Sequence, residues 1–161
     1  MSEQPDFSRV CDSTLGEELT SDECRVLASI MGQRRLKAHE ILVREGEGDS
    51  TLFLLVDGRL EVVSRNDDGE EVVYTMQPGE CAGTRAFVDR TPRKATLRAG
   101  SEACLVYTLE PDRFESLLKQ YPEVVYKVMR ALFRITHANL MRMNQETREL
   151  TNYITKSHGR Y

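Results

Sequence analysis

Residues 41–62, "ILVREGEGDSTLFLLVDGRLEV", hold short apolar runs set apart by clusters of Gly, Glu and Asp. Runs this short, rich in Val and Leu and bounded by turn residues, read as β-strands. The pattern extends both ways. "LKAHEILV" (36–43) begins it upstream, and "RLEVVSR" (59–65), "EEVVYTM" (70–76), "KATLRA" (94–99) and "ACLVYTLE" (103–110) continue it downstream. In "NDDG" (66–69) Gly69 stands where a hairpin needs positive φ, and Asp57-Gly58 is expected to do the same one strand earlier, so that the two turns fix strand register. The centre of the chain is therefore a β-barrel or sandwich.

Helical signals lie on both flanks. In "LTSDECRVLASIM" (19–31) Thr20 or Ser21 is placed as an N-cap ahead of acids in the first turn and apolar Val26, Leu27 and Ile30, which predicts a short amphipathic helix. Pro111 opens "PDRFESLLKQ", with proline in the first helical turn, and Pro122 opens a longer segment with no internal Gly or Pro. Along that segment Tyr126, Met129, Phe133, Thr136, Leu140, Met143, Thr147, Leu150 and Ile154 recur three and four apart, in heptad fashion. A second stripe, Val125, Val128, Leu132 and Ile135, covers a neighbouring face in the first half only. About 34 residues at roughly 1.5 Å each give a helix on the order of 50 Å, longer than a domain of this size can cover. The first half is expected on its own domain and the second half on a partner helix, with Phe133, Leu140, Met143 and Leu150 as the homodimer seam. A single helix folded back along the domain is the competing reading. The expected organisation is a β domain with a helical lead (1–121), a long C-terminal helix (122–156) and a tail (157–161).

Composition narrows the function classes. A chain of 161 residues, 40% hydrophobic, buries one real core, and its longest strongly apolar run, "LFLLV", is far too short for a bilayer. With no leader pattern at the N-terminus, a soluble cytoplasmic protein is expected. Cys11, Cys24, Cys81 and Cys104 show neither CxxC spacing nor partner histidines, so reduced and mostly buried thiols are expected, with no metal. The net charge is −4, yet residues 85–98 carry five basic residues against one acidic. Nucleic-acid backbones demand a broad positive face, whereas a compact cluster suits one small anion.

That cluster lies in "PGECAGTRAFVDRTPRKAT" (78–96). Four separated blocks now agree in order and spacing with one family: the helix 19–31, the strand–turn–strand block 41–62 with Glu45-Gly46, Asp49 and Gly58, "PGE" at 78–80, and "TPRKATLRA" at 91–99. Over roughly residues 15–145 the chain resembles the cyclic-nucleotide-binding domain of the catabolite-activator and protein-kinase-regulatory type. The resemblance implies a jelly-roll β-barrel (double-stranded β-helix) between a short N-terminal helix and a long C-terminal helix.

In that family the 78–96 connection binds a cyclic phosphate through the amides opening a short helix and a downstream arginine, while a glutamate after the glycine accepts the ribose 2′-hydroxyl. Carried over, the resemblance assigns Gly83 and Ala86 to the phosphate turn and Arg93 as the phosphate arginine, with Lys94 where a small or hydroxyl residue often sits. Thr84 replaces the glutamate, and Arg85 an aliphatic residue. Asn139, beside the heptad seam, stands at a height where it can read a base edge. A second register, Gly79-Glu80 with Arg90, restores the glutamate but breaks the fit of the flanking blocks. Alternatively Arg90, Arg93, Lys94 and Arg98 are solvated charges on a turn and an edge strand.

The expected function is a non-enzymatic ligand-sensing regulatory domain that binds cyclic AMP, cyclic GMP or another small phosphate-bearing anion. The alternative is a dimerisation or interaction module with a vestigial pocket. His39, His137 and His158 carry no role, Glu45 and Asp49 read as turn-stabilising acids, and no nucleophile, base and orienting group assemble into an active site. After the long helix only "TKSHGRY" follows, so no DNA-recognition helix is expected.

Overall fold

The structure, a computed structural model, describes the backbone of residues 4–157 and the side-chain surroundings of residues 4–154. The expected tail lies outside the described residues beyond Ser157.

The lead begins with α1 (Phe7–Cys11), capped by Asp6, and continues through a 3₁₀ turn (Thr14–Gly16) into α2 (Ser21–Ser29). Thr20, not Ser21, is the cap of α2. Its hydroxyl accepts from the Glu23 amide at 3.2 Å, and the Glu23 carboxylate accepts from the Thr20 amide at 2.9 Å, so two otherwise orphaned donors are satisfied reciprocally. A disulfide joins Cys11 to Cys24, tying α1 to α2 and correcting the expectation of free thiols there. Cys81 and Cys104 remain thiols; burial pushes Cys81 up to about 12, so it stays protonated at neutral pH.

Two four-stranded antiparallel sheets follow. One has the order β1 (Gly32–Leu36), β8 (Cys104–Leu109), β3 (Leu52–Asp57), β6 (Cys81–Ala82). The other has the order β2 (Ile41–Val43), β7 (Thr96–Ala99), β4 (Leu60–Asn66), β5 (Gly69–Met76). Apart from the β4–β5 hairpin, strands adjacent in sequence alternate between the two sheets, as in a jelly roll. Among the described residues no ladder joins the two sheets, so the expected barrel is open at its corners.

β3 explains the apolar run in the opening stretch. Phe53 and Leu55 point between the sheets, where they meet Leu36, Leu60, Met76, Leu97 and Val106. Leu52, Leu54 and Val56 point the other way, into a second core with the lead and the C-terminal helices. A strand covered on both faces reads as continuous hydrophobicity instead of alternation.

The β4–β5 hairpin pairs Asn66 with Gly69 across Asp67-Asp68, and Gly69 has φ +119° as the sequence predicts. Asp57-Gly58 is a corner, not a second hairpin: β3 and β4 belong to different sheets. Glycine is required at that corner because φ is +88° and a Cβ would stand 2.7 Å from the Ala103 carbonyl oxygen.

After β8, α4 (Pro111–Glu115) leads to α5 (Pro122–Ser157). Val124, Val125, Val128 and Leu132 of α5 are buried in the second core. Lys127 pairs with Glu23 at 2.7 Å, Arg130 with Glu18 at 3.0 Å and Arg134 with Glu18 at 2.9 Å, clamping the same half to the lead. Beyond it the apolar stripe is open: Phe133 is 70% exposed, Leu140 53%, Met143 57% and Leu150 60%. No helix among the described residues is long and apolar enough to cross a membrane.

Candidate functional site

β6 delivers the chain to Gly83, whose φ of +88° turns it into α3 (Thr84–Asp89). A Cβ at Gly83 would stand 2.3 Å from Arg93 Nη1 and 3.2 Å from the Thr51 carbonyl oxygen. Glycine is therefore needed both for the turn and for the guanidinium beneath it. No side chain caps this turn. At its far end α3 stops on Arg90, itself left-handed at φ +56°, and Thr91-Pro92 lead to Arg93.

The Arg93 side chain is 3% exposed. Its backbone is held from both sides, since the Arg93 amide donates to the Glu47 carbonyl at 2.9 Å and the Arg93 carbonyl accepts from the Gly46 amide at 2.9 Å. Nη2 donates to the Thr51 carbonyl at 2.5 Å and to Asp49 Oδ2 at 3.3 Å, while the guanidinium carbon lies 5.0 Å from the centre of the Phe53 ring. Nε and Nη1 are buried and reach no acceptor among the described residues; the same is true of the Thr91 hydroxyl. Unmet donors on a buried cation are unfavourable by themselves, and donors so directed suit the oxygens of an anion.

Asp49 positions the guanidinium. Its Oδ1 accepts from the Thr51 amide at 3.1 Å and the Thr51 hydroxyl at 2.8 Å. Partial burial pushes this carboxyl up, but the Thr51 donors and the Arg93 charge outweigh it and hold it below the usual carboxylate range.

The sequence-derived residues divide clearly. Gly83 and Arg93 are in contact, Thr84 is half-buried at the start of α3, and Ala86 is buried under it. Arg85 and Lys94 are exposed, and Asn139 is an exposed residue of α5. The second register does not form a site: Glu80 is occupied by the Tyr74 hydroxyl at 2.6 Å and the Gln77 amide at 2.7 Å, and exposed Arg90 pairs with Asp112 at 2.9 Å. Arg98 pairs with Glu61 at 2.9 Å and Glu70 at 3.1 Å. Of the basic cluster, only Arg93 turns inward. Sequence reasoning missed Asp49 as its partner. Asp49 reads locally as an Asx turn on Thr51, and nothing in the sequence signals a partner 44 positions away.

α3 also reaches the core that seats the base of α5. Phe87 packs on Phe114 of α4 with ring centres 5.4 Å apart, in the same core as Val125 and Val128.

Comparison with known proteins places this geometry. The profile of the cyclic nucleotide-binding domain matches residues 33–121. A cAMP-dependent protein kinase regulatory subunit of Mycosarcoma maydis is 32% identical over 88 residues, 55% of this chain and 17% of that protein. The chain thus spans well under two thirds of that relative's length. A cyclic nucleotide-binding domain from Methylobacillus flagellatus superimposes with a TM-score of 0.80 at 21% identity, covering 87% of this chain and 81% of that one. The regulatory domain of Toxoplasma gondii PKA, solved with cAMP, superimposes with a TM-score of 0.61 at 26% identity over 68% of this chain and 42% of that one.

Proposed function

Because the chain belongs to the cyclic nucleotide-binding domain family, we propose that it is a non-catalytic regulatory domain whose Gly83–Arg93 site takes a cyclic nucleotide or another small phosphate-bearing anion and couples its occupancy to a dimer helix, α5. The observation that carries the proposal is Arg93: a guanidinium 3% exposed, with Nε and Nη1 unpaired, directly beneath Gly83. A purely structural arginine would spend all its donors on protein acceptors.

Coupling requires a ligand to favour one arrangement of α3 over another, since equal affinity shifts nothing. Phe87 supplies the mechanical link, because any inward movement of α3 is transmitted to Phe114 and to the core that seats the first turns of α5. The exposed stripe Phe133, Leu140, Met143 and Leu150 suits a second copy of α5.

Isothermal titration with cyclic AMP and cyclic GMP tests the ligand half: heat is expected from the wild type and none from Arg93→Ala, and no heat at millimolar ligand rejects the cyclic-nucleotide reading. Equilibrium sedimentation tests the dimer. A wild-type dimer converted to monomer by Leu140→Glu is expected, and a wild-type monomer at micromolar concentration rejects it. The exposed stripe also favours a second reading, an interaction module that binds nothing at Arg93. In that case Arg93→Ala leaves function intact while Leu140→Glu abolishes it.

A further inference from the structure

We propose that, independently of any ligand at Arg93, the Cys11–Cys24 bond is a redox-sensitive lock on the seat of α5, opened by a dithiol reductant. What carries this is the position of the bond relative to the groups that hold α5.

The bond closes a loop with a sequence separation of 13. Three carboxylates inside that loop pair with the first half of α5: Glu17 with Arg134 at 3.4 Å, Glu18 with Arg130 at 3.0 Å and Arg134 at 2.9 Å, and Glu23 with Lys127 at 2.7 Å. Leu15 and Leu19 of the same loop are buried in the core that holds Val124, Val128 and Leu132 of α5. Thr14 donates from its amide and from its hydroxyl to the Gly79 carbonyl, each at 3.0 Å, in the turn that precedes β6. One covalently closed loop thus forms the pad under the first half of α5.

Its contacts are weak singly. Ion pairs with exposed partners contribute little each, and α1 and the 3₁₀ turn, at five and three residues, are too short to persist without tertiary support. Closing a loop of this length limits the freedom it gains on opening, which shifts that equilibrium by roughly a hundredfold. The bond therefore decides how firmly the pad, and α5 on it, stays in place.

The switching step is thiol–disulfide exchange. Cys11 is half-buried and Cys24 fully buried, so attack falls on Cys11 Sγ. A thiolate of the dithiol bonds to that sulfur, the Cys11–Cys24 bond breaks, and Cys24 leaves as a thiolate that takes up a proton. The second thiol of the reductant then displaces Cys11, which leaves as a thiol. Two electrons have passed to the protein, and the dithiol is left as a cyclic disulfide.

The test is hydrogen exchange of the full chain in increasing urea, oxidised and after treatment with dithiothreitol, read by mass spectrometry. On reduction, the amides of residues 13–24 and 124–134 are expected to exchange roughly a hundredfold faster or more, with a urea dependence shallower than that of β3 and β8, the mark of a seat that opens while the sheets stay closed. In the oxidised protein the same amides are expected to follow the strands. Cys11→Ala is expected to behave as the reduced wild type and to be unchanged by dithiothreitol. If the seat follows the steep urea dependence of the strands in both redox states, the bond braces the whole fold and the proposal is overturned. Opening of the seat to the same extent in both states overturns it, as does opening confined to residues 13–24 with α5 still protected. Both cysteines found as thiols after mild oxidation overturn it too.

Discussion

Replacing Arg93 by methionine separates a binding arginine from a structural one. The substitution keeps a long flexible stem in the same volume and deletes the guanidinium. Lost are the charge-assisted bond to the Thr51 carbonyl, about 1.5–3 kcal/mol, and the 3.3 Å pair with Asp49, about 0–1 kcal/mol because that carboxylate is 40% exposed. The contact with the Phe53 ring, about 0.5–1 kcal/mol, is partly restored by the methionine sulfur. Relieved are two buried donors without acceptors, Nε and Nη1, at about 1–3 kcal/mol each. Gain and loss therefore nearly cancel. Asp49 keeps both Thr51 donors and part of its hydration, so the deletion strands no buried charge. Urea unfolding at pH 7 without ligand is expected to give a stability within about 1 kcal/mol of wild type, against the roughly 3–5 kcal/mol lost when a buried pair loses one partner. Calorimetry on the same sample is expected to show no binding of cyclic AMP. A destabilisation of about 3 kcal/mol or more would refute the reasoning, since Arg93 would then be holding the fold together.

Three further outcomes are expected. Gly83→Ala must strain a backbone at φ +88° and drive a methyl to 2.3 Å from Arg93 Nη1, so differential scanning calorimetry should show a melting temperature lower by roughly 3–8 °C and titration no ligand binding. An unchanged melt would contradict the geometry. Reduction of the Cys11–Cys24 bond, which closes a loop with a sequence separation of 13, should lower stability by about 3 kcal/mol, and Cys24→Ser should melt at the reduced position whether or not a phosphine reductant is present. A wild-type melt insensitive to reductant would mean that the two thiols do not pair in solution. In acid, Glu23 is held below the usual range by Lys127 and the Thr20 amide, Glu18 by Arg130 and Arg134, and Asp49 by Thr51 and Arg93 despite its burial. Folded values below unfolded ones mean that this stabilisation is full above about pH 4.5 and disappears as pH falls through the folded values, so urea midpoints should hold from pH 7 to about 5 and then drop. In Glu23→Gln that acid limb should be shallower, and an equally steep limb would remove Glu23 from the account.

The β-strands were legible because their information is local. Apolar runs, hairpin chemistry at Gly69 and the proline at the head of α5 each act over a few residues, and each is where the sequence predicts it. β1, "GQRRL", gave no such signal: only Leu36 is buried, and the strand exists because β8 supplies a partner along all five residues. Its pairing is a long-range fact. The Asp57-Gly58 corner failed for a related reason. A glycine announces positive φ, but which sheet the next strand joins depends on what lies across it, here Ala103 and Cys104. The disulfide is the third case, since Cys11 and Cys24 lack any motif and meet only because α1 folds back on α2.

The site shows the same division at finer scale. Local sequence marks a basic cluster, yet it cannot say which of its cations is buried, because burial of a charge depends on compensation from elsewhere in the chain. Arg90, with Asp112 and Glu115 beside it, is satisfied at the surface, and Arg98 is satisfied between two glutamates. Arg93 alone among them faces a backbone carbonyl, an aspartate already occupied by its own turn, and an aromatic ring. Those three groups orient it without saturating it. An arginine so placed retains directed donors at the one point where Gly83 lets the backbone come close, and that incomplete satisfaction distinguishes it from the neighbouring arginines. The resemblance to a family picked Arg93 out by position; the physical reason for its selection lies in Asp49, Thr51 and Phe53, roughly forty residues earlier in the chain.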